Sequence, residues 1–259
     1  MKVVILCGGL GTRLREETEF RPKPMVEIGG RPILWHIMKI YARHGFSEFV
    51  LCLGYRGNAI KEYFLNYAAM NHDFTICLGR ESDIQYHGSH EETDFRVTLV
   101  DTGANTMTGG RVRRVRRFVG PGTFMVAYGD TLADVNLPSL LEFHRRHGKL
   151  ATVTTVRPVS RFGVVDVDPS EKVTLFAEKS QTGDWLSAGY FVFEPGVFDY
   201  LTGGDACIME REPMERLVAD GQLMAFRHEG FFQAMDTYRE YDALNKIWAS
   251  GQAPWKVWQ

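Results

Sequence analysis

Three glycines and two cationic residues near the start of the chain could bind phosphate. Gly8, Gly9 and Gly11 follow an apolar run, and Arg13 and Lys23 come after them. Glycine accepts positive φ and lets the backbone pass close to a ligand, so successive N–H groups can point into one concavity. Such concavities bind anions, and a guanidinium and an ammonium add favourable charge. The stretch therefore predicts a polyphosphate site.

The spacing of the glycines separates this loop from two other phosphate-binding patterns. A P-loop reads GxxxxGK[ST], and neither Lys-Ser nor Lys-Thr follows Gly11. The dinucleotide fingerprint reads GxGxxG, whereas the spacing here is GGxG and the next glycine is Gly29. The alternative is a tight turn after the first strand, and Thr12, Arg13 and Lys23 argue against it.

An aspartate further along could approach a cation bound to such a ligand. Asp130 directly follows Gly129 and the apolar run from Phe124 to Tyr128. Magnesium prefers hard oxygen ligands and keeps several waters, so one or two carboxylates plus phosphate oxygens suffice to bind it. Taken alone, Asp130 could equally be a helix cap or a turn residue.

Strand-like and helix-like segments alternate along the chain and would position these residues. We expect an α/β fold, with a Rossmann-like, mostly parallel mixed sheet flanked by helices and small antiparallel additions. In such sheets ligands bind beyond the carboxyl ends of the strands, where the glycine loop lies. We find neither an internal repeat nor a linker, so one domain over 1–259 is expected. Strands are predicted at 3–7, 49–53, 74–78, 95–100, 124–128, 150–156, 162–167, 173–177, 185–194 and 223–227. Helices are predicted at 32–44, 60–67, 138–147, 197–201, 213–219 and from 237.

Composition limits the class of protein. The 259 residues are 44% hydrophobic and 24% charged with a net charge of −2, as in an ordinary globular protein without a nucleic-acid footprint. We expect neither a membrane segment nor a signal peptide. Cys7, Cys52, Cys77 and Cys207 form no CxxC pair, and the first three lie in apolar strand-like runs. Buried free thiols and a cytoplasmic location are therefore expected.

Several polar segments are expected at the surface. Residues 80–94 lack periodicity and predict a loop, in which His87 and His90 are solvent-exposed and bind no metal. His144 and His147 are predicted on the exposed part of a helix. In the basic run from Arg111 to Arg117, most side chains are expected to face solvent, with Arg111 as the member that reaches a ligand.

Longer motifs resemble a known family. The segments GGLGTRL and RPKPMVEIGGRPIL are similar to the signature of the sugar-1-phosphate nucleotidyltransferases, and so are YGDTLADVN and FFQAMDT. The segment TLVDTGANTMTGGRVRRV most resembles the members that join CTP to glucose 1-phosphate. The resemblance implies an enzyme that transfers a cytidylyl group to a hexose 1-phosphate with Mg²⁺. It also implies a homo-oligomer, with a hexamer as one option.

The resemblance also implies roles for individual residues. Arg13 and Lys23 would be catalytic, and Asp130 and Asp236 would bind the metal. Asp236 could also be a helix N-cap, and the two roles do not exclude each other. Glu178, Lys179 and Gly189 would bind the sugar phosphate. The nucleotide would be bound by Leu6, Cys7, Gly8, Gly9, Leu10, Gly11, Thr12, Arg13, Lys23, Thr106, Arg111 and Gly129.

Two alternatives stay open at this stage. The first is the same reaction with another sugar or base, because Thr131 and Ser180 stand where the family commonly has glycine and proline. The second is a nucleotide-sugar sensor that has lost the chemistry. The presence of Arg13, Lys23 and both aspartates favours an enzyme.

Overall fold

The predicted alternation of strands and helices is present throughout the described part of the chain. The structure is a computed structural model that describes residues 1–79, 83–88, 91–157, 164–177 and 184–258. Its strands are β1 Lys2–Leu6, β2 Glu27–Ile28, β3 Arg31–Pro32, β4 Glu48–Leu53, β5 Asp73–Ile76, β6 Ile84–His87, β7 Arg96–Asp101, β8 Phe124–Tyr128, β9 Thr131–Ala133, β10 Ala151–Val156, β11 Val164–Val167, β12 Val173–Ala177, β13 Leu186–Phe193, β14 Leu223–Arg227 and β15 Phe232–Ala234. Its α-helices are α1 Arg15–Thr18, α2 Ile33–Arg43, α3 Gly57–Leu65, α4 Tyr67–Asn71, α5 Thr108–Arg114, α6 Arg116–Val119, α7 Leu137–His147, α8 Glu212–Ala219 and α9 Tyr238–Ala249. Short 3₁₀ helices lie at Thr12–Leu14, Lys23–Met25, Pro195–Asp199 and Gly204–Ala206.

Seven strands form the central sheet, in the order β14-β10-β13-β8-β1-β4-β7. Strands β8, β1, β4 and β7 are mutually parallel, and β14 is parallel to β10. Strand β13 runs antiparallel to both β10 and β8. In the register, Leu6 pairs with Cys52 on one side and with Tyr128 on the other. The carboxyl ends of β8, β1 and β4 therefore meet at one edge, and the predicted mostly parallel mixed sheet is confirmed.

Alternating residues of the central strands pack into two cores, one on each face of the sheet. Val3 and Ile5 of β1 pack with the apolar residues of α2, whereas Val4 packs with Val112 of α5 and Leu217 of α8. This period of two is what a strand buried on both faces requires. The apolar periodicity that predicted a helix after Pro32 corresponds to the buried face of α2.

The smaller predicted elements are mostly confirmed. Strands β11 and β12 form the predicted antiparallel hairpin, and β2–β3, β5–β6 and β9–β15 are further two-stranded sheets. Helix α7 begins after Asn136, whose side chain accepts a hydrogen bond from Ser139 N, and it ends at Gly148 with φ 63°. The helix predicted at 60–67 is longer and divided, because α3 ends at Leu65 and α4 begins at Tyr67.

A strand is present close to the predicted 74–78, but the prediction that it belongs to the mostly parallel sheet is wrong. Strand β5 lies outside the central sheet and pairs antiparallel with β6, and both strands are exposed. The prediction of a loop over 80–94 is therefore wrong at Ile84–His87, and Cys77 is exposed rather than buried. An apolar run predicts a strand but does not show whether the same chain covers it.

His144 is buried, contrary to the prediction that it is exposed. It lies one helical turn after Leu140, on the face of α7 that packs on the sheet. Its Nδ1 lies 2.8 Å from Thr152 Oγ1 and its Nε2 lies 3.2 Å from Glu194 Oε1. Burial lowers the pKa of His144 and outweighs the opposing effect of Glu194.

Among the described residues, no helix is both long enough and apolar enough to span a membrane.

Candidate active site

The glycine loop leaves the sheet at the carboxyl end of β1 and turns directly into a short helix. Gly11 has φ 64°, a conformation that favours glycine, and a Cβ there would lie 2.9 Å from Thr18 Cγ2. Thr18 Oγ1 donates to the carbonyl oxygens of Gly11 at 3.0 Å and of Leu14 at 2.8 Å. The loop therefore has a fixed shape, held by the helical turn that follows it.

The Arg111 side chain connects this loop to the neighbouring strand ends through hydrogen bonds. Its Nη1 donates to Leu53 O at 3.0 Å, to Thr102 Oγ1 at 2.7 Å and to Gly103 O at 2.9 Å. Its Nη2 donates to Gly8 O at 2.9 Å and to Ala104 O at 3.3 Å. Burial lowers the pKa of this guanidinium from its ordinary value.

The position of Arg111 explains why residues 8 and 54 are glycines. A Cβ at Gly8 would collide with its guanidinium, and one at Gly54 would lie 2.5 Å from its Nη1. Arg111 was predicted to reach a ligand, and it does line the cavity, but both terminal nitrogens bond to protein oxygens. A direct contact with the nucleotide stays a prediction. Elsewhere in the basic run, Arg113, Arg114, Arg116 and Arg117 are exposed as predicted.

Lys23 lies between the two aspartates that were predicted to bind a metal. Its Nζ lies 2.5 Å from Asp130 Oδ2 and 2.7 Å from Asp236 Oδ1, and its side chain is only 11% exposed. Burial by itself would lower the pKa of Lys23, but attraction and hydrogen bonding to the two carboxylates outweigh burial and raise it. Lys23 is therefore a fixed positive charge.

Two strand ends deliver the aspartates to this point. Asp130 follows β8 and Gly129, and Gly129 N donates to Leu6 O at 3.1 Å, so the aspartate lies beside the glycine loop. Strand β15 pairs with β9, and Met235 N donates to Asp130 O at 2.9 Å, which brings Asp236 opposite Asp130. The structure therefore brings together carboxylates that are more than a hundred residues apart in the chain.

Asp236 is not the cap of the last helix. The N-cap of α9 is Thr237, which forms a capping box with Glu240. Asp236 Oδ2 instead accepts a hydrogen bond from Arg13 Nη1 at 2.9 Å. The predicted N-cap role of Asp236 is thereby excluded. Its carboxylate contacts Arg13 and Lys23 instead.

These groups line one cavity of about 770 Å³ at the edge of the sheet. All twelve predicted nucleotide-binding residues and both predicted metal ligands line it. Gly189 is adjacent to two lining residues, Ser187 and Ala188, and packs against the ring of Tyr128 with φ 75°. The predicted Glu178 and Lys179 lie outside the described residues.

Sequence reasoning missed a polar network on another wall of this cavity. Tyr128 OH donates to Glu210 Oε1 at 2.6 Å, and Thr108 Oγ1 donates to Glu210 Oε2 at 2.5 Å. Burial, with the nearby Glu210 carboxylate, raises the pKa of Tyr128. Tyr128 could have been suspected because it precedes Gly129 and Asp130. Glu210 gives no such signal, because it lies in an irregular segment before α8.

The two aspartates fit a hard cation that is shared with a ligand. In the part of the chain that the structure describes, no group of three or more His, Cys, Asp or Glu side chains could hold a metal by itself. Asp130 and Asp236 converge on one cationic group, the Lys23 ammonium. Two carboxylates completed by phosphate oxygens and water are a typical set of ligands for Mg²⁺.

The chain is similar to known proteins over its whole length. A family model described as nucleotidyl transferase matches residues 2–231. The glucose-1-phosphate cytidylyltransferase of Salmonella typhi is 48% identical over 261 residues, covering all of both chains. The crystal structure of HddC from Yersinia pseudotuberculosis has a TM-score of 0.69 at 21% identity, over 95% of this chain and 99% of that one. Apo UDP-glucose pyrophosphorylase has a TM-score of 0.70 at 15% identity, over 97% and 98% of the two chains, so these two structures share the fold. The chain belongs to the nucleotidyl transferase family.

Proposed function

We propose that this enzyme transfers the cytidylyl group of CTP to α-D-glucose 1-phosphate, giving CDP-glucose and pyrophosphate. The full-length match to a glucose-1-phosphate cytidylyltransferase supports both substrates. The observation that carries the proposal is the convergence of Asp130 and Asp236 on the Lys23 ammonium, beside a glycine loop and within one cavity.

Catalysis of this reaction requires mainly that the protein position the substrates and stabilise negative charge. An oxygen of the sugar phosphate attacks the α-phosphorus of CTP, the bond from that phosphorus to the bridging oxygen breaks, and pyrophosphate leaves. The attacking group is already an anion, so no general base is required. Repulsion between two polyanions and charge growth on the leaving group set the barrier, and fixed cations and dipoles lower it.

The residues of the site suit these tasks. The backbone N–H groups of the glycine loop would bind the polyphosphate. Arg13, whose side chain is 73% exposed at the rim, would bind the departing pyrophosphate. Lys23, buried and held by two carboxylates, would stabilise charge at the α-phosphate.

A divalent metal ion completes the site in this family, whose members generally use one. We propose Mg²⁺ as the ion and Asp130 and Asp236 as its protein ligands. Held by these two carboxylates, the ion would supply positive charge that offsets the negative charge growing on the phosphates during transfer. Lys23 shares the same two carboxylates, so it keeps them oriented toward one point.

The sugar phosphate is proposed to bind on the β13 side of the cavity. Ser187 and Ala188 line the cavity there, and the positive φ of Gly189 keeps its backbone close to Tyr128. Lys179 would bind the phosphate of the sugar, with Glu178 beside it. These two roles stay predictions from the family resemblance.

A substrate matrix tests the proposed reaction. The purified protein is incubated with each nucleoside triphosphate and each of several hexose 1-phosphates in the presence of Mg²⁺, and pyrophosphate release and the nucleotide sugar are measured. We expect the highest kcat/KM for CTP with glucose 1-phosphate. A higher value for another pair would replace that substrate, and no release with any pair would favour a nucleotide-sugar sensor.

The exposed β5–β6 ribbon supports a homo-oligomer. Large apolar side chains on and beside it face solvent in the single chain: Phe74, Ile76, Leu78, Ile84 and Tyr86. We propose that residues 1–259 form one domain, since the central sheet takes strands from Lys2–Leu6 to Leu223–Arg227, and that copies associate, with a hexamer as one option. Light scattering after size-exclusion chromatography would show a monomer if this is wrong.

We also propose a cytoplasmic location without a nucleic-acid or membrane partner. All four cysteines are free, and three of them are buried, which suits a reducing compartment. The net charge of −2 gives no electrostatic support for binding nucleic acid. Fractionation of cells that express the tagged protein tests the location.

A further inference from the structure

Glu210 presents a fixed carboxylate to the cavity, in addition to the aspartates beside Lys23. It lines the cavity from the segment before α8, on the face of the sheet that α5 covers. Tyr128 OH and Thr108 Oγ1 each donate to a different carboxylate oxygen, at 2.6 Å and 2.5 Å. Both groups act as donors, so each oxygen of the carboxylate has a partner and its orientation is fixed.

The surroundings of Glu210 suit an aromatic base rather than a phosphate. Two cations of the site, Arg13 and Lys23, lie at the glycine loop and pair with Asp236. The third, Arg111, has both terminal nitrogens bonded to protein oxygens. Thr108 and Tyr128, which bond to Glu210, line the cavity together with Thr106 and Met107, which directly precede Thr108 in the chain. A thioether and a phenol ring offer apolar, polarisable surface to a flat ring, and an anion there disfavours phosphate.

The Tyr128–Glu210 pair also lies close to the residues that are expected to hold the phosphates. Tyr128 is the last residue of β8, two residues before Asp130, and it pairs in register with Leu6 at the start of the glycine loop. Thr108 is the first residue of α5, the helix that carries Arg111. A nucleotide whose phosphates lie on the loop and beside Asp130 would thus have its base close to Tyr128 and Glu210.

We propose that Glu210 determines the preference for cytosine by accepting a hydrogen bond from its exocyclic 4-amino group. Uracil and thymine carry a carbonyl oxygen at that position, whose lone pairs would face the carboxylate. A carboxylate that accepts from the cytosine amino group is a known form of base discrimination. Tyr128 and Thr108 are positioning residues, because they hold the carboxylate. The inference rests on the proposed use of CTP and names the group that selects it.

The test compares CTP with UTP in wild type and in Glu210→Gln. The amide can present an NH₂ group to a carbonyl, so the variant accepts either base. We expect the ratio of kcat/KM for CTP to that for UTP to fall roughly 10- to 100-fold, mostly through KM. Tyr128→Phe, which removes one of the two donors and keeps the ring, should lower the same ratio less. Glu212→Gln, an exposed neighbour, should leave it unchanged.

A ratio within threefold of wild type in Glu210→Gln, with a normal melting temperature, would overturn the assignment. A change in the ratio of CTP to dCTP without a change in that of CTP to UTP would overturn it as well, because the carboxylate would then contact the ribose. Calorimetric binding of CMP and UMP separates this inference from the proposed reaction. Loss of the CMP preference in Glu210→Gln supports it even if wild type turns over no CTP, and an unchanged preference contradicts it.

Discussion

Arg111 Nη2 donates a hydrogen bond of 2.9 Å to the carbonyl oxygen of Gly8, a residue 103 positions earlier in the chain. The contact joins the glycine loop to the helix on the other wall of the cavity. Because Nη1 of the same guanidinium bonds to Leu53, Thr102 and Gly103, one buried side chain fixes three strand ends relative to each other.

Arg111→Lys is expected to weaken both stability and nucleotide binding. An ammonium keeps the charge but lacks the planar fork, so several buried carbonyl oxygens lose their donors, at a cost of roughly 1–3 kcal/mol in unfolding free energy. We expect a lower melting temperature and a rise in KM for CTP that exceeds the fall in kcat. Arg116→Lys, on the exposed face of α6, is the control. Equal behaviour of the two variants would contradict the role given to Arg111.

Gly8→Ala is expected to reproduce the effect of Arg111→Lys on KM. A Cβ at this position would collide with the Arg111 guanidinium, so either the loop or the arginine must shift. Gly9→Ala is the matched control within the loop, since a Cβ there meets nothing within 4 Å. Because Gly9 itself lines the cavity, Gly122→Ala, outside the cavity and equally free of contacts, is the control for kinetics with CTP. A KM for CTP in Gly8→Ala as low as that in Gly122→Ala would show that the loop is not held through Arg111.

Lys23→Ala is expected to reduce turnover at saturating substrate by about 10²–10³, the usual loss when one charge-stabilising donor is removed. The fold should be retained, because the carboxylates that lose their partner are partly exposed, at 29% and 20%. Pyrophosphate release and circular dichroism check the two parts. Lys256→Ala is the control at an exposed position. Near-normal turnover of Lys23→Ala would remove this residue from the mechanism.

His36 makes stability depend on pH. It is fully buried, its Nε2 lies 2.9 Å from Ile28 O and its Nδ1 lies 3.4 Å from Trp255 Nε1, so it is held neutral. Burial lowers its pKa from 6.5 to about 4, so the unfolded chain takes up a proton that the folded protein does not. Stability is complete above pH 6.5 and is lost as the pH falls toward 4.

The expected loss through His36 is about 2 kcal/mol in unfolding free energy between pH 7 and pH 5. Urea unfolding at both pH values measures it. His36→Gln should be less stable at pH 7, because its packing among tryptophan rings is altered, but its stability should fall by about 2 kcal/mol less over this range. The same pH dependence in variant and wild type would show that another group is responsible.

Local patterns predicted most of the fold and the centre of the site. The apolar run before Gly8 predicts a buried strand whatever its partners are, and a glycine loop at its end predicts a phosphate site. Asp236 could be paired with Asp130 only through a family motif, because the β9–β15 contact that joins them is not visible in either segment alone.

Contacts between distant segments account for what the sequence did not predict. Arg111 was singled out within the run RVRRVRR, but nothing in the sequence indicated that its guanidinium bonds to protein carbonyl oxygens, in space left by Gly8 and Gly54. The Glu210 carboxylate is oriented by hydrogen bonds from Tyr128 and Thr108, which are 82 and 102 residues away in the chain. The apolar run at β5 predicted a strand with a buried cysteine and the polar stretch around β6 predicted a loop, yet the two segments pair with each other and their apolar side chains are exposed within the described residues.

The convergence of Asp130 and Asp236 is tested most directly by Mn²⁺ binding, followed by electron paramagnetic resonance in the presence of CTP. We predict that wild type takes up Mn²⁺ with the nucleotide, and that Asp130→Asn and Asp236→Asn each weaken this uptake by at least about tenfold, since even outer partners of a metal site typically contribute that much. Asp199→Asn, at an exposed position, should bind as wild type does. Wild-type uptake by both Asp130→Asn and Asp236→Asn would contradict the account.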